Sequence, residues 1–262
     1  MKDMSGENKL KYVAMIQARM GSSRLPNKVL KDICGKPDLQ WVIERVQRSK
    51  YVDEVMVITS IDKNNLPLIK LCTELGARVF VGSEDDVLDR YYQAARLIRP
   101  QYVIRITADC PLYDWNVLDD MIKGIKADTD YMCIEGEDFP DGLDTEIIRF
   151  EALEKAWREA RLSSEREHVT QYIKKHTEIF NLHEYKFPIP NTSHYRWTLD
   201  EDVDYHMINS VCRYFTNKGQ IDFAASDIIA FLKEHPEIES MNSNIGRNEG
   251  LLKSIREDHI VK

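Results

Sequence analysis

The sequence predicts an α/β fold in which helices cover both faces of a mostly parallel sheet. Two observations predict it: short apolar runs alternate with stretches of helical periodicity, and glycine or proline marks helix ends. At 262 residues the chain is long enough for one α/β domain with a full core. The strand–helix order favours parallel strands, because each helix carries the chain back to the start of the next strand.

The first half of the chain is predicted to alternate strictly between strands and helices. Pro67 lies near the start of one predicted helix and Gly76 follows its end, which is the punctuation expected there. The predicted strands are residues 12–17, 54–59, 78–81, 102–107 and 130–134, and the predicted helices are residues 39–49, 66–75, 85–98 and 117–126.

The second half is predicted to be a small α+β insertion followed by a tail. Ser164 comes three residues before Glu167, which is typical of a capping box at a helix start. From residue 246 the charges are mixed and the pattern is weak, so this stretch is either a packed helix or a frayed end. No clear linker or repeat occurs, and we predict one domain over residues 1–262. The predicted strands here are residues 144–149, 185–187 and 194–199, and the predicted helices are residues 150–160, 164–175 and 203–215.

Composition excludes several classes of protein. Lys and Arg number 36 against 44 Asp and Glu, and this net charge of −8 disfavours broad nucleic-acid binding. The five cysteines are widely spaced without a CxxC pair, which favours reduced thiols over disulfides or a zinc site. The charged N-terminus does not resemble a signal peptide, and no apolar run approaches the roughly 18 residues of a membrane span. We therefore expect a cytoplasmic protein without a membrane partner.

The loop that follows the first predicted strand combines small residues with cations, which suits a polyphosphate. Glycine lets a backbone turn so that several N–H groups face one point, while arginine and lysine supply charge for phosphate oxygens. Neither common phosphate-loop spacing is present, and a solvated surface loop is the alternative interpretation. The candidate nucleotide-binding residues of this loop are Ala18, Arg19, Gly21, Ser22, Ser23, Arg24 and Lys28.

Residues 17–28 read QARMGSSRLPNK, which resembles the loop after the first strand of the sugar-activating cytidylyltransferases. The resemblance is greatest to the spore-coat polysaccharide F branch, which is related to the acylneuraminate and 3-deoxy-manno-octulosonate cytidylyltransferases. It covers about residues 12–215 and implies a Rossmann-like fold of the nucleotide-diphospho-sugar transferase type. The other matching segments are GSEDDVLDRYYQAA (82–95), RITADCPL (105–112), GLDTEIIRFEALEKA (142–156), EREHVTQYI (165–173) and RWTLDEDVDY (196–205).

The resemblance also implies an activity and a division of the chain. Such enzymes transfer CMP from CTP to a sugar or sugar acid and release pyrophosphate, for surface polysaccharide or glycan biosynthesis. CTP and an ulosonic-acid-like acceptor are then the expected partners. The division gives a nucleotide-binding half at about residues 12–135, an acceptor-binding and dimerisation part at about 136–215, and a helical tail at 216–262.

A homodimer is expected from the resemblance and from the aromatic content of the second half. Aromatic residues are interleaved with charge there, more than a small lid would bury against its own sheet, and a symmetric dimer is the commonest way to cover such a surface. The aromatic residues concerned are Trp157, Tyr172, Phe180, Phe187 and Tyr195.

Two aspartates that each follow a predicted strand are candidate ligands of Mg²⁺, the expected cofactor. Asp109 follows the strand that ends at residue 107, and Asp200 follows the segment RWTL. Ligands gather at the carboxyl ends of parallel strands, and magnesium is held by one or two carboxylates with phosphates and water. By the resemblance, both match the metal-binding acids of the octulosonate enzymes. The alternatives are a turn residue for Asp109, a helix N-cap for Asp200, and Asp202 as the second ligand.

Further nucleotide contacts are expected from Thr59 and Ser60, at the end of the second predicted strand, and from Arg105. Each also has a structural interpretation: Ser and Thr at strand ends bond their own backbone, and an arginine within a strand pairs with a neighbouring acid. The candidate catalytic residues are Arg19, Arg24, Lys28 and Asp109.

The candidate acceptor-binding residues are Asp144, Glu146, His168 and Arg196. Asp144 and Glu146 are two apart on a predicted strand, so they would face the same side and suit the vicinal hydroxyls of a sugar. Arg196 could hold an acceptor carboxylate. A helical histidine such as His168 is more often packed or exposed than catalytic.

Two other classes of function compete with nucleotidyl transfer. A metal-dependent glycosyltransferase would hold its metal with an acidic pair, which Asp200-Glu201-Asp202 superficially fits, but would not need the basic loop. A non-catalytic nucleotide-binding protein would be expected to lack one of the acids or loop cations, and all are present.

Overall fold

The computed structural model describes residues 10–22, 24–247 and 249–261. The strands are β1 (Tyr12–Gln17), β2 (Asp32–Ile33), β3 (Lys36–Pro37), β4 (Glu54–Ser60), β5 (Arg78–Gly82), β6 (Tyr102–Thr107), β7 (Tyr131–Ile134), β8 (Glu146–Arg149) and β9 (Leu182–Tyr185). The α-helices are α1 (Asp38–Val46), α2 (Leu66–Glu74), α3 (Val87–Ile98), α4 (Trp115–Lys123), α5 (Phe150–Glu159), α6 (Ser163–Glu167), α7 (Gln171–Lys175), α8 (Asp202–Asn217), α9 (Ala225–Glu234), α10 (Pro236–Glu239) and α11 (Glu249–Arg256).

Seven of the described strands form one sheet in the order β5-β4-β1-β6-β8-β7-β9, while β2 and β3 form a separate hairpin. Strands β5, β4, β1 and β6 are parallel, and β7 is parallel to β9. Of the seven, β8 alone runs antiparallel to its neighbours. The predicted mostly parallel sheet is confirmed.

The sheet is buried on both faces, which explains why its strands are continuously apolar rather than alternating. Along β1, Ala14 and Ile16 belong to one buried cluster, and Val13 and Met15 belong to the other. Helices α1, α2, α4, α8 and α9 pack against the first face, and α3 and α5 against the second. The prediction of helices on both faces is therefore confirmed.

In the first half, the predicted elements agree closely with the structure. Strands β1 and β6 have the predicted ends, and β4 and β5 each extend one residue further. Helices α1 and α4 end three residues earlier than predicted, at Val46 and Lys123. Helix ends of this kind depend on local capping, so such differences are expected.

The predicted helix over residues 164–175 is wrong, because the chain forms two short helices there. Between α6 and α7, Val169 has a φ of 58°, which interrupts the helix. The predicted capping box is also wrong: the carboxylate of Glu165 accepts the N–H of Leu162, while Ser164 Oγ donates to Asp258. The break has a tertiary cause, since it turns Thr170 towards the sheet, where it hydrogen-bonds to Glu146.

Residues 194–199 do not form the predicted strand, and make only an isolated bridge between Asp141 and Arg196. Three of the aromatic residues assigned to a dimer surface, Phe180, Phe187 and Tyr195, are buried within this chain. The argument from exposed aromatic side chains is therefore wrong for these three. The stretch after residue 246 forms the helix α11, one of the two interpretations left open for it.

The carboxyl ends of β1, β4 and β6 lie together at one edge of the sheet, as the parallel register requires. Because β8 runs the other way, its first residue, Glu146, lies at this same edge, opposite Arg105 of β6. In the described part of the chain, no helix combines the length and apolar character that a membrane span requires.

Candidate active site

A buried asparagine anchors the loop that follows β1. The N–H of Met20 donates to Asn65 Oδ1 at 2.8 Å, and Asn65 Nδ2 donates to Ser60 Oγ at 2.8 Å. Thr59, Ser60 and Asn65 are all buried. In this conformation neither Thr59 nor Ser60 is accessible to a ligand. Ser60 helps to position the loop through Asn65, and the predicted nucleotide contact of Thr59 and Ser60 stays a prediction.

Lys28 enters the site through a left-handed turn at the residue before it. Asn27 has φ 60° and ψ 23°, a conformation that asparagine tolerates better than most residues. Gly21 lies outside this left-handed region, and a Cβ atom there would meet open space. The turn that was assigned to the glycine is therefore made at Asn27.

Lys28 brings the two candidate metal ligands together. Its ammonium donates to Asp109 Oδ2 at 2.6 Å and to Asp200 Oδ1 at 2.7 Å. Asp109 follows β6 and Asp200 precedes α8, so these contacts join three distant parts of the chain. The loop and both aspartates therefore meet in this structure.

The mutual contacts keep this group charged. Burial lowers the pKa of Lys28, but Asp109 and Asp200 outweigh burial and leave the pKa above its usual value. Burial likewise raises the pKa of Asp109, but the charge and hydrogen bond of Lys28 outweigh it and lower that pKa to about 2. At neutral pH both side chains are therefore ionised.

Asp200 is held by two arginines as well. Arg24 Nη2 lies 2.9 Å and Arg196 Nη2 lies 3.1 Å from Asp200 Oδ2. Arg196 also donates through Nε to Asp204 at 3.0 Å and through Nη1 to Asp141 at 2.9 Å. All three guanidinium nitrogens of Arg196 are thus committed to protein carboxylates, and the residue is buried. In this structure Arg196 positions Asp200, and a bond from it to an acceptor carboxylate stays a prediction.

Asp109 and Asp200 fit the requirements of a magnesium ion, because they present oxygens around a cation that already lies between them. Asp202, the alternative second ligand, is exposed and pairs with Lys31 at 2.9 Å, apart from the contacts that join Asp109 and Asp200. No group of three or more His, Cys, Asp and Glu that could hold a metal occurs in the described residues. A magnesium ion here would therefore complete its coordination with phosphate oxygens and water.

A cavity of about 530 Å³ opens beside these side chains, large enough for a small-molecule ligand. Arg24, Asp109 and Asp200 line one part of it, and residues at the start of β8 line another. All of the candidate acceptor residues and Arg105 reach this cavity: Arg105, Asp144, Glu146, His168 and Arg196.

The carboxylate of Glu146 is occupied by protein side chains. Its Oε2 accepts from Arg105 Nη1 at 2.6 Å, and its Oε1 accepts from Thr170 Oγ1 at 2.7 Å, Lys174 Nζ at 2.8 Å and the hydroxyl of Tyr131. Burial would raise the pKa of Glu146, but the charges of Lys174 and Arg105 outweigh burial and hold it well below its usual value. These contacts favour positioning of Arg105 and Lys174 over the predicted bond to acceptor hydroxyls.

The other cavity candidates differ in their surroundings. Arg105 was expected near the nucleotide but pairs with Glu146, and its Nε is buried without a hydrogen bond to the described residues. Asp144 precedes β8, so it does not share a strand face with Glu146 as predicted, and its side chain is 47 % exposed. Burial lowers the pKa of His168, so the ring at the cavity wall is neutral at pH 7.

The remaining candidate residues of the loop after β1 are exposed or make hydrogen bonds within the protein. Arg19 is exposed, and Ala18 is buried with its N–H donated to the carbonyl of Ile58 at 3.0 Å. Ser22 Oγ accepts the N–H of Leu25 at 3.3 Å. Ser23 lies outside the described residues.

Several residues of the site escaped the sequence reasoning, notably Asn65, Asp141, Lys174 and Arg247. Lys174 lies four residues after Thr170, and both reach Glu146, so helical spacing was a usable signal. Asp141 and Arg247 come from a loop and from the tail, and no local pattern marks them.

Comparison with known proteins bears on the function of this site. A family model described as cytidylyltransferase matches residues 13–228. The spore coat polysaccharide biosynthesis protein SpsF of Bacillus subtilis is 33% identical over 236 residues, which are 85% of this chain and 94% of that protein. The 3-deoxy-manno-octulosonate cytidylyltransferase of Anaeromyxobacter dehalogenans is 34% identical over 122 residues, which are 45% of this chain and 49% of that protein.

Solved structures agree with the family assignment. The structure of a cytidylyltransferase from Leptospira borgpetersenii has a TM-score of 0.82 and 31% identity, and covers 90% of this chain and 98% of that one. A CMP:2-keto-3-deoxy-manno-octonic acid synthetase complexed with CTP shares the fold, with a TM-score of 0.59 and 16% identity over 79% of this chain and 99% of that one. The chain therefore belongs to the cytidylyltransferase family and is a CTP-dependent nucleotidyltransferase.

Proposed function

We propose that this enzyme transfers CMP from CTP to a hydroxyl group of a sugar acid, for the synthesis of a surface polysaccharide or glycan. The observation that carries the proposal is the ammonium of Lys28 between Asp109 and Asp200, beside a cavity of about 530 Å³. In the transfer, the acceptor oxygen forms a bond to the α-phosphorus of CTP and the bond from that phosphorus to pyrophosphate breaks. The hydroxyl proton passes to solvent.

Magnesium is the cofactor that we propose, with Asp109 and Asp200 as its protein ligands. When bound, it supplies Lewis-acid stabilisation of the charge on the phosphate oxygens. Arg24 and Lys28 bind and orient the triphosphate, because their donors face the same edge as the two carboxylates. His168 remains a candidate for contact with the acceptor, since it lines the cavity.

Two relatives support the nature of the acceptor. The similarity to an octulosonate cytidylyltransferase favours a sugar acid, and the similarity to the spore coat protein favours polysaccharide synthesis. A homodimer remains part of the proposal, although three of the aromatic residues first assigned to its surface are buried. Light scattering at micromolar protein tests it, and a monomer would contradict it.

A pyrophosphate-release screen of the purified protein tests the activity. Each of the four nucleoside triphosphates is combined with 3-deoxy-manno-octulosonate, N-acetylneuraminate or the neutral sugar mannose, in magnesium or in excess chelator. We expect release with CTP and a sugar acid, dependent on magnesium. Release that is equal with mannose would contradict the sugar-acid acceptor, and release without magnesium would contradict the cofactor.

A further inference from the structure

Residues 242–247 and 249–261, which we call the C-terminal strap, lie beyond the residues 13–228 that the family model matches, yet some of them line the cavity. The strap begins with a firm anchor. Asn242 is 3% exposed, and its Nδ2 donates to the carbonyl of Arg196 at 2.9 Å and to Asp204 Oδ1 at 2.8 Å. The first residue of the strap is therefore bound to Arg196 and Asp204, and Arg196 positions Asp200.

The far end of the strap is anchored at the start of α6. The carboxylate of Asp258 accepts from Ser163 Oγ at 3.0 Å and from the N–H and Oγ of Ser164 at 2.9 and 2.8 Å. The N–H of Val261 donates to the carbonyl of Arg161 at 2.9 Å. With both ends fixed, the middle of the strap borders the cavity, where Gly246, Arg247 and Leu251 contribute to its wall.

Arg247 is held in a fixed orientation at this wall. Its Nη1 donates to the carbonyls of Phe139 and Glu137 at 3.1 and 3.3 Å, and its guanidinium carbon lies 4.1 Å from the centre of the Phe139 ring. Its Nη2 lies 3.0 and 3.1 Å from the two oxygens of Asp144. Its Nε is buried and makes no hydrogen bond to the described residues, and it lies 3.9 Å from Asp141 Oδ1.

We propose that Arg247 binds the carboxylate of an acidic acceptor, in exchange for its contact with Asp144. An arginine binds a carboxylate best through two parallel N–H donors, and the fork of Nε and Nη2 is only half used in this structure. Asp144 is 47 % exposed and can turn to solvent when an acceptor carboxylate takes its place. The proposal rests on the proposed transfer to a sugar acid.

Other cations of the cavity are less suited to this role. Arg196 has all three guanidinium nitrogens on protein carboxylates. Lys174 and Arg105 pair with Glu146, whose buried carboxylate cannot turn to solvent as Asp144 can. Apart from Arg24, which is proposed to bind the triphosphate, Arg247 is the lining cation of the described residues whose partner is most easily exchanged, and it is already oriented by two carbonyls and a ring.

The first test compares Arg247→Ala with Arg256→Ala, an exposed arginine of the same strap. Pyrophosphate release is followed with CTP and either 3-deoxy-manno-octulosonate or its methyl ester, which lacks the carboxylate charge. We expect Arg247→Ala to raise the KM for octulosonate roughly tenfold to a hundredfold, the range of a charge-assisted hydrogen bond, with little change for CTP or the ester. Arg256→Ala should match the wild type. An unchanged KM for octulosonate in Arg247→Ala would overturn the proposal.

A binding measurement separates this proposal from the proposed function. If the wild type releases no pyrophosphate with any acceptor, the proposed function fails. The melting temperature is then measured with octulosonate alone. A rise in the wild type and in Arg256→Ala, but not in Arg247→Ala, supports binding of the carboxylate by Arg247. The absence of a rise in the wild type overturns that proposal. Arg247→Lys, which keeps the charge but not the fork, replaces the alanine variant if that variant fails to fold, and the same loss is expected.

Discussion

Lys28 Nζ lies 2.6 Å from Oδ2 of Asp109, a contact between residues 81 positions apart in the sequence. The contact is largely but not wholly withdrawn from water, since the two side chains are 13% and 23% exposed. The ammonium thus neutralises a carboxylate that would otherwise repel the neighbouring Asp200. Substitutions at this group should therefore affect stability as well as turnover.

Replacing Lys28 by methionine should leave Asp109 without its counter-charge beside Asp200, which keeps its contacts with Arg24 and Arg196. We expect the free energy of unfolding to fall by about 1–3 kcal/mol, less than for a fully buried pair because both acids are partly exposed. Millimolar magnesium should restore stability more in this variant than in the wild type. Urea unfolding in magnesium and in chelator measures both effects, with Lys31→Met as control. Equal responses to magnesium would argue against a metal between the two carboxylates.

Asp109→Asn and Asp200→Asn should each reduce pyrophosphate release by roughly a hundredfold or more, because each removes a proposed metal ligand. Asp202→Asn is the matched control, since Asp202 is exposed and pairs only with Lys31 among the described residues. Its activity should stay close to that of the wild type. Near-normal turnover of Asp109→Asn at saturating magnesium would leave Asp109 as a turn residue.

Arg24→Ala should weaken CTP binding by about 1.5–3 kcal/mol, the range for hydrogen bonds to charged groups. The protein should remain folded, because the Arg24 side chain is 43% exposed. Calorimetric titration with CTP measures the affinity, and Lys31→Ala serves as a control for the loss of one nearby cation. A CTP affinity equal to that of the wild type would remove Arg24 from the nucleotide site.

Asn27→Ala should destabilise the protein by about 1 kcal/mol, whereas Asn27→Gly should not, because only the alanine is strained at a φ of 60°. The alanine variant should also bind CTP more weakly, since the turn at Asn27 aims Lys28. Urea unfolding and CTP titration of the two variants test this. Equal stability of the alanine and glycine variants would contradict it.

Glu146→Gln should make the protein less stable at pH 7 and less sensitive to acid. The pKa of Glu146 is lowered from 4.5, so its carboxylate stabilises the native state above pH 4.5 and this contribution is lost as the pH falls below that value. We expect a loss of about 3 kcal/mol at pH 7, because Arg105 and Lys174 lose their shared counter-charge. Urea unfolding from neutral to acidic pH should give a steeper fall for the wild type. Parallel curves would contradict the prediction.

The fold could be predicted well where the sequence pattern is local. Strands β1 and β6 were predicted with their observed ends, because a strand buried on both faces is a continuous apolar run with polar residues after it. The break between α6 and α7 could not be predicted, since its cause is a hydrogen bond from Thr170 to Glu146, far away in the sequence. Tertiary contacts of this kind override helical periodicity.

The same distinction applies to the candidate site. Asp200 meets Lys28 although the strand predicted before it does not form. The meeting of Lys28 and Asp109 was predictable, because these residues follow β1 and β6, whose carboxyl ends lie at one edge of the sheet. The partners of Arg196 were not, since they depend on how Asp141 and Asp204 approach it through a loop and a helix start. Arg247 had no signal at all in the local pattern.

The reversal of β8 has a consequence for how this enzyme could be re-engineered. The groups proposed to bind the nucleotide follow the ends of β1 and β6. Glu146 is instead the first residue of β8, and it positions the side chains on the part of the cavity proposed for the acceptor. The preferences for the nucleotide and for the acceptor therefore depend on separate stretches of the chain, which meet at one edge of the sheet. Exchange of residues 136–175 together with the C-terminal strap for those of a relative should transplant acceptor preference while leaving the choice of nucleoside triphosphate intact.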